Sequence, residues 1–359
     1  MTLCLARFSI DFLYRRGVPL LAALLLLGGC SSLDYYSHLA RGQLQVLHAS
    51  QPVDALLRDP RVDAGLKQRL GLSQQARDFA SARLGLPDNR SYRRYADIQR
   101  PFVVWNLFAT AEFSVKPELH CFPIAGCVAY RGYYSQGRAR GAAARLQLRG
   151  FDTYLGGVEA YSTLGWFDDP LLNSMLRWND ERLVAVLFHE LAHQQLYVAD
   201  DTAFNESFAT FVEREGLRQW QQAHGVTLVD GGEAKQREQF TALVLASRAR
   251  LEQLYASDLA ADAMRVAKQA EFERLRREYR ALREREWGGR GRYDGWIEAP
   301  LNNAKLLPFG LYDHWVPAFA ALFAEAGGDW PRFYRRAAAL GRLPSVARAA
   351  ALDALQNAG

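Results

Sequence analysis

The chain has 359 residues, with 44 Lys and Arg against 39 Asp and Glu, a formal net charge of +5, and 49% hydrophobic residues. That length and apolar content suffice for a sizeable core. The arginines are scattered among acids and form no stripe with interleaved aromatics, so nothing argues for nucleic acid as a partner.

Arg15 and Arg16 precede an apolar run, Val18 to Leu27, that closes on Leu27-Gly28-Gly29-Cys30-Ser31-Ser32. The run is shorter than the roughly 20 residues of a membrane span, and it has the charged start, apolar middle and small-residue end of a secretory signal. Leu27-Gly28-Gly29-Cys30 resembles the bacterial lipobox. The resemblance implies a lipoprotein signal peptide over 1–29, a lipid on Cys30 and a mature domain over 30–359. Ser31 after the cysteine resembles the outer-membrane sorting pattern, which implies a chain anchored by lipid to the bacterial outer membrane and facing the periplasm. The alternative is an ordinary cleaved signal with an incidental cysteine. Removing 1–29 takes away Arg7, Arg15, Arg16 and Asp11, so the formal charge falls to about +3.

Residues 34–100 have helical apolar spacing at Leu44 to His48, Val62 to Leu70 and Leu72 to Leu84, until Gly85-Leu86-Pro87-Asp88-Asn89 breaks the pattern. His38 and His48 lie in this part and are assigned no role. A strand-rich part follows over 102–167. Phe102 to Asn106, Ala111 to Val115, Cys127 to Tyr134 and Val158 to Phe167 are rich in β-branched and aromatic residues and are divided by Pro and Gly. Cys121 and Cys127, with Pro123 and Gly126 between them, suit a disulfide closing a small loop in an oxidising compartment. A metal role beside His120 is the alternative, although the spacing fits no strong zinc pattern.

Leu183 to Val198 is apolar almost all round, as in a helix at a domain centre, with Asn179 and Asp180 placed to cap its start. It carries His189-Glu190-Leu191-Ala192-His193. Residues four apart share a helix face, so His189 and His193 can offer two imidazole nitrogens to one ion. Glu190 sits one residue round from that face, where an H-E-x-x-H carboxylate acts as general base on the water the metal carries. Catalytic zinc usually has a third protein ligand. Asp200-Asp201-Thr202 break the helix and can cap another, and Glu206 in its first turns is read as that ligand. A purely structural role for His189, Glu190 and His193 is the plainer alternative, weakened because buried polar groups need partners.

Residues 233–286 hold long charged helix that can turn at Tyr255-Ala256-Ser257-Asp258 into a helical hairpin. Such a hairpin is usually a solvated bundle face, and as a docking arm it could meet a protein partner in the envelope. Arg283 to Arg292 reads as a loop and Leu301 to Phe323 as helix again. Tyr312, His314 and Tyr161 are candidates for donating a hydrogen bond to the oxyanion that a zinc peptidase must stabilise, each with a core aromatic as its plainer reading. Asn303, beside Asn302, is a candidate contact for substrate backbone or a helix cap.

His189-Glu190-Leu191-Ala192-His193 followed by Asn205-Glu206-Ser207-Phe208-Ala209 resembles the gluzincin metallopeptidases, the second stretch looking like the second-helix motif of their zinc aminopeptidases. Cys121 to Tyr134, Ala160 to Phe167, the two metal helices and Trp315 to Phe319 are also similar to a bacterial family of predicted zinc aminopeptidases that are membrane-anchored lipoproteins. The resemblance implies a zincin-like metallopeptidase domain, Zn2+ as cofactor and a peptide substrate. It also implies that Ala160 to Leu164, with Ser162 a substrate contact, form a sheet edge on which an extended peptide lies. Gly156-Gly157-Val158-Glu159-Ala160 partly matches the stretch that grips the substrate amine in larger aminopeptidases, which makes Glu159 a substrate-binding candidate; a surface glutamate is the alternative. One departure is the short interval of twelve residues between His193 and Glu206, which makes the connection between the helices tight.

The expectation is a mainly helical α+β zincin-like metallopeptidase domain with a small sheet and a long helical hairpin. His189, His193 and Glu206 hold zinc, and Glu190 drives hydrolysis of peptide bonds, as an aminopeptidase rather than an endopeptidase. The competing class is a membrane-tethered, zinc-stabilised binding or folding factor without peptidase activity.

Overall fold

A computed structural model describes residues 33–122, 126–225, 232–310 and 314–358. Contacts divide the chain into two units, Met1–His48 and Ala49–Gly359. The described part of the first is one helix, α1, over 33–48. Cys30 and the 1–29 segment lie outside the described residues. Among the described residues no helix is long and apolar enough to cross a membrane.

The second unit is mainly helical with small sheets, an α+β arrangement. It begins with β1 (Ser50–Pro52), α2 (Val53–Arg58) and α3 (Ala64–Leu84), then β2 (Arg94–Ala96), β3 (Val104–Ala111), β4 (His120–Phe122), β5 (Gly126–Val128) and β6 (Arg131–Tyr133). Next come α4 (Gln136–Gln147), β7 (Phe151–Val158), β8 (Leu171–Leu172), α5 (Asp180–Gln195) and α6 (Thr202–His224). The chain continues with α7 (Glu233–Tyr255), α8 (Ala261–Glu286), α9 (Asp294–Glu298) and α10 (Asn303–Leu306), and closes with α11 (Val316–Glu325), α12 (Trp330–Gly341) and α13 (Ser345–Ala358).

The largest pairing joins β3 to β7, antiparallel from Val104 opposite Val158 to Ala111 opposite Phe151, with β6 on the other side of β3. Two predicted strands are corrected here. Ala111 to Val115 turns out of β3 instead of starting a new strand, and the strand placed at 158–167 ends at Val158. Ala160 to Leu164 is an irregular loop and no sheet edge: Asp169, fully buried, accepts hydrogen bonds from the Thr163 amide and hydroxyl at 2.8 Å each, so local side-chain bonding replaces a ladder. The aromatic content that reads as strand there packs a loop. Cys121 and Cys127 face each other in the β4/β5 pair and are bonded as a disulfide. That hairpin rests on the connection between α5 and α6, with the Cys127 amide donating to Asp200 Oδ1 at 2.6 Å.

α5 and α6 form the centre. Asn179 caps α5 by accepting from the Arg182 amide at 2.8 Å, and Asp180 and Glu181 in its first turn complement the helix dipole. Leu183, Val184, Leu187, Phe188, Leu191 and Ala192 are all fully buried, which fixes the helix between α3 and α6. Asp201 caps α6 through the Phe204 amide at 2.9 Å, while its other oxygen holds Arg348 of α13 at 2.7 Å. The turn between the helices is closed by Asn205, whose side-chain amide accepts from the Val198 N–H and donates to the Val198 carbonyl, both at 2.7 Å. Phe204 and Phe208 then pack edge-on against Phe319 of α11 at 5.2 and 5.6 Å. α7 and α8 run antiparallel, since Phe240 meets Tyr279 while Ser247 and Arg250 meet Glu271.

Candidate metal centre

His189 and His193 project from one face of α5, and Glu206 reaches them from the second turn of α6. The two imidazole Nε2 atoms are 3.2 Å apart, and Glu206 Oε2 lies 3.4 Å from that of His189 and 3.7 Å from that of His193. Ligands about 2.1 Å from one ion at tetrahedral angles stand about 3.4 Å from one another, so these spacings match the edges of a zinc-sized site. Glu206 Oε2 is buried and makes no hydrogen bond of good geometry among the described residues, which is costly unless a cation meets it. The three residues could therefore hold a metal ion.

The electrostatics agree. Burial works against the charge on His189, yet Glu206 and Glu213 raise its proton affinity well above that of an ordinary imidazole. Burial likewise opposes ionisation of Glu206, and the charges of His193 and His189 outweigh it, holding the carboxyl down to about 2. The cluster demands positive charge, from protons or from a metal.

Glu213 Oε2 lies 3.0 Å from His189 Nδ1. A carboxylate accepts only, so Nδ1 carries the proton and Nε2 keeps its lone pair toward the cluster, the arrangement in which an outer carboxylate orients a metal-bound histidine. His193 has no such support: its Nδ1 is buried without a hydrogen-bond partner among the described residues, and its ring stands edge-on to that of His189 at 4.8 Å. Glu190 is half-buried beside the cluster. Burial raises its proton affinity, the histidine charges lower it, and Glu206 and Glu213 raise it again, for a net rise. A carboxylate moved toward neutral pH is suited to taking and returning a proton.

Residues 34–352 match the model of a protein family described as "Putative aminopeptidase". The chain belongs to this family. No curated protein and no solved structure matches it. Membership brings a peptidase-like role and a peptide as the substrate class, and in this member of the family the His-His-Glu group is the one constellation of metal-ligating residues found among the described residues.

The remaining sequence candidates fall in different places. The Tyr161 ring stands edge-on to Tyr134 at 6.2 Å and its carbonyl accepts from the Tyr92 hydroxyl at 3.4 Å. Ser162 accepts from the Leu164 amide at 3.1 Å, inside the loop that Asp169 anchors. The Glu159 carboxylate accepts from Arg182 at 2.8 Å and from the Trp178 indole at 2.9 Å, which ties the end of β7 to the first turn of α5. Asn303 is fully buried, its side chain donating to the Glu112 carbonyl at 2.9 Å and accepting from the Tyr255 hydroxyl at 2.7 Å, so it joins α10 to the sheet and to α7. Asn302 caps α10. His314 is exposed against Trp315, whose amide donates to Ser207 Oγ at 3.0 Å next to Glu206. Tyr312 lies outside the described residues.

Three features escape a reading of the sequence. Glu213 is seven residues past Glu206, two turns along one helix face, and that spacing is the signal that could have found it. Tyr130, half-buried against Phe108 at 5.5 Å, has its phenol raised by burial and by the nearby charges of Glu206 and Glu190, which places the hydroxyl within electrostatic reach of both. Arg214 and Arg237 line a cavity that Glu213 shares. No local pattern announces either of the last two, because their partners come from distant parts of the chain.

Proposed function

We propose that the protein is a zinc-dependent aminopeptidase of the bacterial cell envelope, with His189, His193 and Glu206 as the zinc ligands and Glu190 as the general base. The observation that carries this is the convergence of three donor atoms at 3.2, 3.4 and 3.7 Å beside a carboxylate whose proton affinity is raised. Bound zinc would supply Lewis acidity at the scissile carbonyl and a lowered pKa for the attacking water. Glu190 takes the proton of that water and returns it to the leaving amine. Tyr130, whose phenol feels the charges of Glu206 and Glu190, is the proposed donor of a hydrogen bond to the oxygen that gains charge at the scissile carbon, with Tyr161 as the alternative. Glu213 keeps the His189 ring in its tautomer and direction.

Cys30 is the proposed lipid attachment point, which would tether the catalytic unit to the outer membrane on its periplasmic side. A Cys30→Ser chain moving from the membrane to the soluble fraction supports the tether; an unchanged membrane fraction counts against it.

The test uses the purified full chain, loaded with zinc and incubated with a mixed peptide library read by mass spectrometry, beside Glu190→Gln. Stepwise loss of N-terminal residues by the wild type alone is the expected result. Internal cuts would make the protein an endopeptidase. Equal turnover by Glu190→Gln would remove the mechanism, and zinc binding without cleavage by either protein would favour a tethered binding factor.

A further inference from the structure

A cavity of about 320 Å³ opens beside the metal cluster, lined by Thr210, Glu213 and Arg214 of α6, by Arg237 and Thr241 of α7, and by Phe309 after α10. That volume is at the lower end of small-molecule sites. The lining holds two arginines against one carboxylate, and the Glu213 Oε2 oxygen already faces His189 Nδ1 at 3.0 Å. Two further cations stand near. Burial disfavours the charge on Arg182, and so do Arg292 and Arg237 close by, while Glu159 and Glu213 favour it. Arg182 is itself bound to Glu159 at 2.8 Å. Within the lining itself the arginines outnumber the carboxylate two to one, in a wall that an apolar ring completes.

We propose that this cavity is a subsite for a carboxylate of the peptide substrate, received by Arg214 and Arg237; the proposal rests on the metallopeptidase reading of the adjoining cluster. An α-amine would be repelled by the same arginines, so the acidic end of the peptide is the part that fits. Guanidinium groups are the side chains suited to carboxylates, through paired N–H donors of matching geometry. Position along α6 sets the reach. Thr210 and Glu213 are four and seven residues beyond Glu206, about 6 and 10 Å along the helix at 1.5 Å per residue. An extended peptide covers about 3.3 Å per residue, so the recognised carboxylate stands two to three residues from the scissile bond. It is either the C-terminus of a short peptide or an Asp or Glu side chain at that distance in a longer one.

The experiment has a kinetic and a binding arm. Zinc-loaded full chain is given tripeptides with a free C-terminal carboxylate and the same tripeptides as amides, and longer peptides carrying Glu or Gln two residues past the scissile bond. A charge-assisted contact corresponds to about tenfold or more in kcat/KM. The expected result is that preference in one of the two series, which identifies the source of the carboxylate, and its collapse toward unity in Arg237→Gln, a change at an exposed position of α7. In the binding arm, the zinc-free protein is titrated calorimetrically with N-acetylglycine, which carries a single carboxylate, and with its uncharged amide, N-acetylglycinamide. Tighter binding of the charged probe by about tenfold, lost in Arg237→Gln, is expected. Equal cleavage of charged and neutral peptides, or equal binding of the two probes, overturns the subsite while leaving the peptidase intact. Charge-selective binding that depends on Arg237, without cleavage of any peptide, would instead keep the subsite and overturn the peptidase reading.

Discussion

Glu213 Oε2 stands 3.0 Å from Nδ1 of His189, so the helix that supplies Glu206 to the cluster also orients the first histidine of the other helix. Two contacts from α6 to one imidazole make the spacing between α5 and α6 part of the metal site. Glu213→Gln keeps an acceptor and removes the charge. Zinc affinity, measured by competition with a chromophoric chelator, should fall about 10- to 100-fold, and Glu206→Ala should abolish binding. An affinity equal to that of the wild type in Glu213→Gln would mean that packing alone orients the ring.

Tyr130→Phe removes one hydroxyl and leaves the contact with Phe108. Steady-state kinetics on a cleaved peptide should show kcat reduced about 100-fold with KM little changed, the signature of a contact made only as charge develops. Tyr161→Phe should do less. A larger loss in the Tyr161 variant would reverse the assignment.

Asp169 supplies a pH dependence. Burial raises its carboxyl to about 7, against the hydrogen bonds from Thr163 that favour the ionised form and with the charges of Glu190 and Asp168 adding to the rise. The folded value lies above the unfolded one of about 3.9, so between them the folded state binds more protons and stability falls as pH rises. The contribution is fully present below about pH 4 and lost by about pH 7, on the order of 4 kcal/mol at most. Asp169→Asn can keep both bonds to Thr163. Urea unfolding at several pH values should show the difference between wild type and variant growing across that window, and a constant difference would rule the linkage out.

Gly216 marks where α6 crosses α3 and α5. A Cβ there would lie 2.7 Å from Leu84 Cδ1 and 3.0 Å from Phe188 Cδ2, and both side chains are fully buried. Alanine gains up to about 1 kcal/mol over glycine inside a helix, but overpacking costs about 1–3 kcal/mol. Gly216→Ala should therefore destabilise by about 1–2 kcal/mol in chemical denaturation, whereas a stabilised variant would mean that the helices can part without cost.

Strand-like composition misled at 160–167 for a reason visible at Thr163. β-branched and aromatic residues suit a half-buried pleated surface, but a buried Asp169 offers the backbone a local acceptor, and the Thr163 amide takes it. The true strand, β7, contains Gly156 and Gly157, which composition reads as a break; Gly157 is needed because a Cβ there would lie 2.5 Å from the Phe102 ring. β3 ran on past Asn106 to Ala111 because its partner β7 continues alongside it, a fact about another part of the chain.

What the sequence by itself determined is what local geometry controls. Four-residue spacing puts His189 and His193 on one helix face, Asn179 and Asp201 cap the two helices, and the short interval to Glu206 forces a tight turn. Cys121 and Cys127 are close enough in the chain for their pairing to be read from it. Only the tertiary structure decided which groups stand around that nucleus: the Glu213 carboxylate on His189, the Tyr130 phenol in the field of Glu206, Arg237 and Arg214 in the wall of one cavity, and the Glu159 carboxylate held by Arg182. These pairings join segments from about twenty to about eighty residues apart. Side-chain contacts of that kind depend on how helices and sheet pack, and no spacing rule within a single element carries the information.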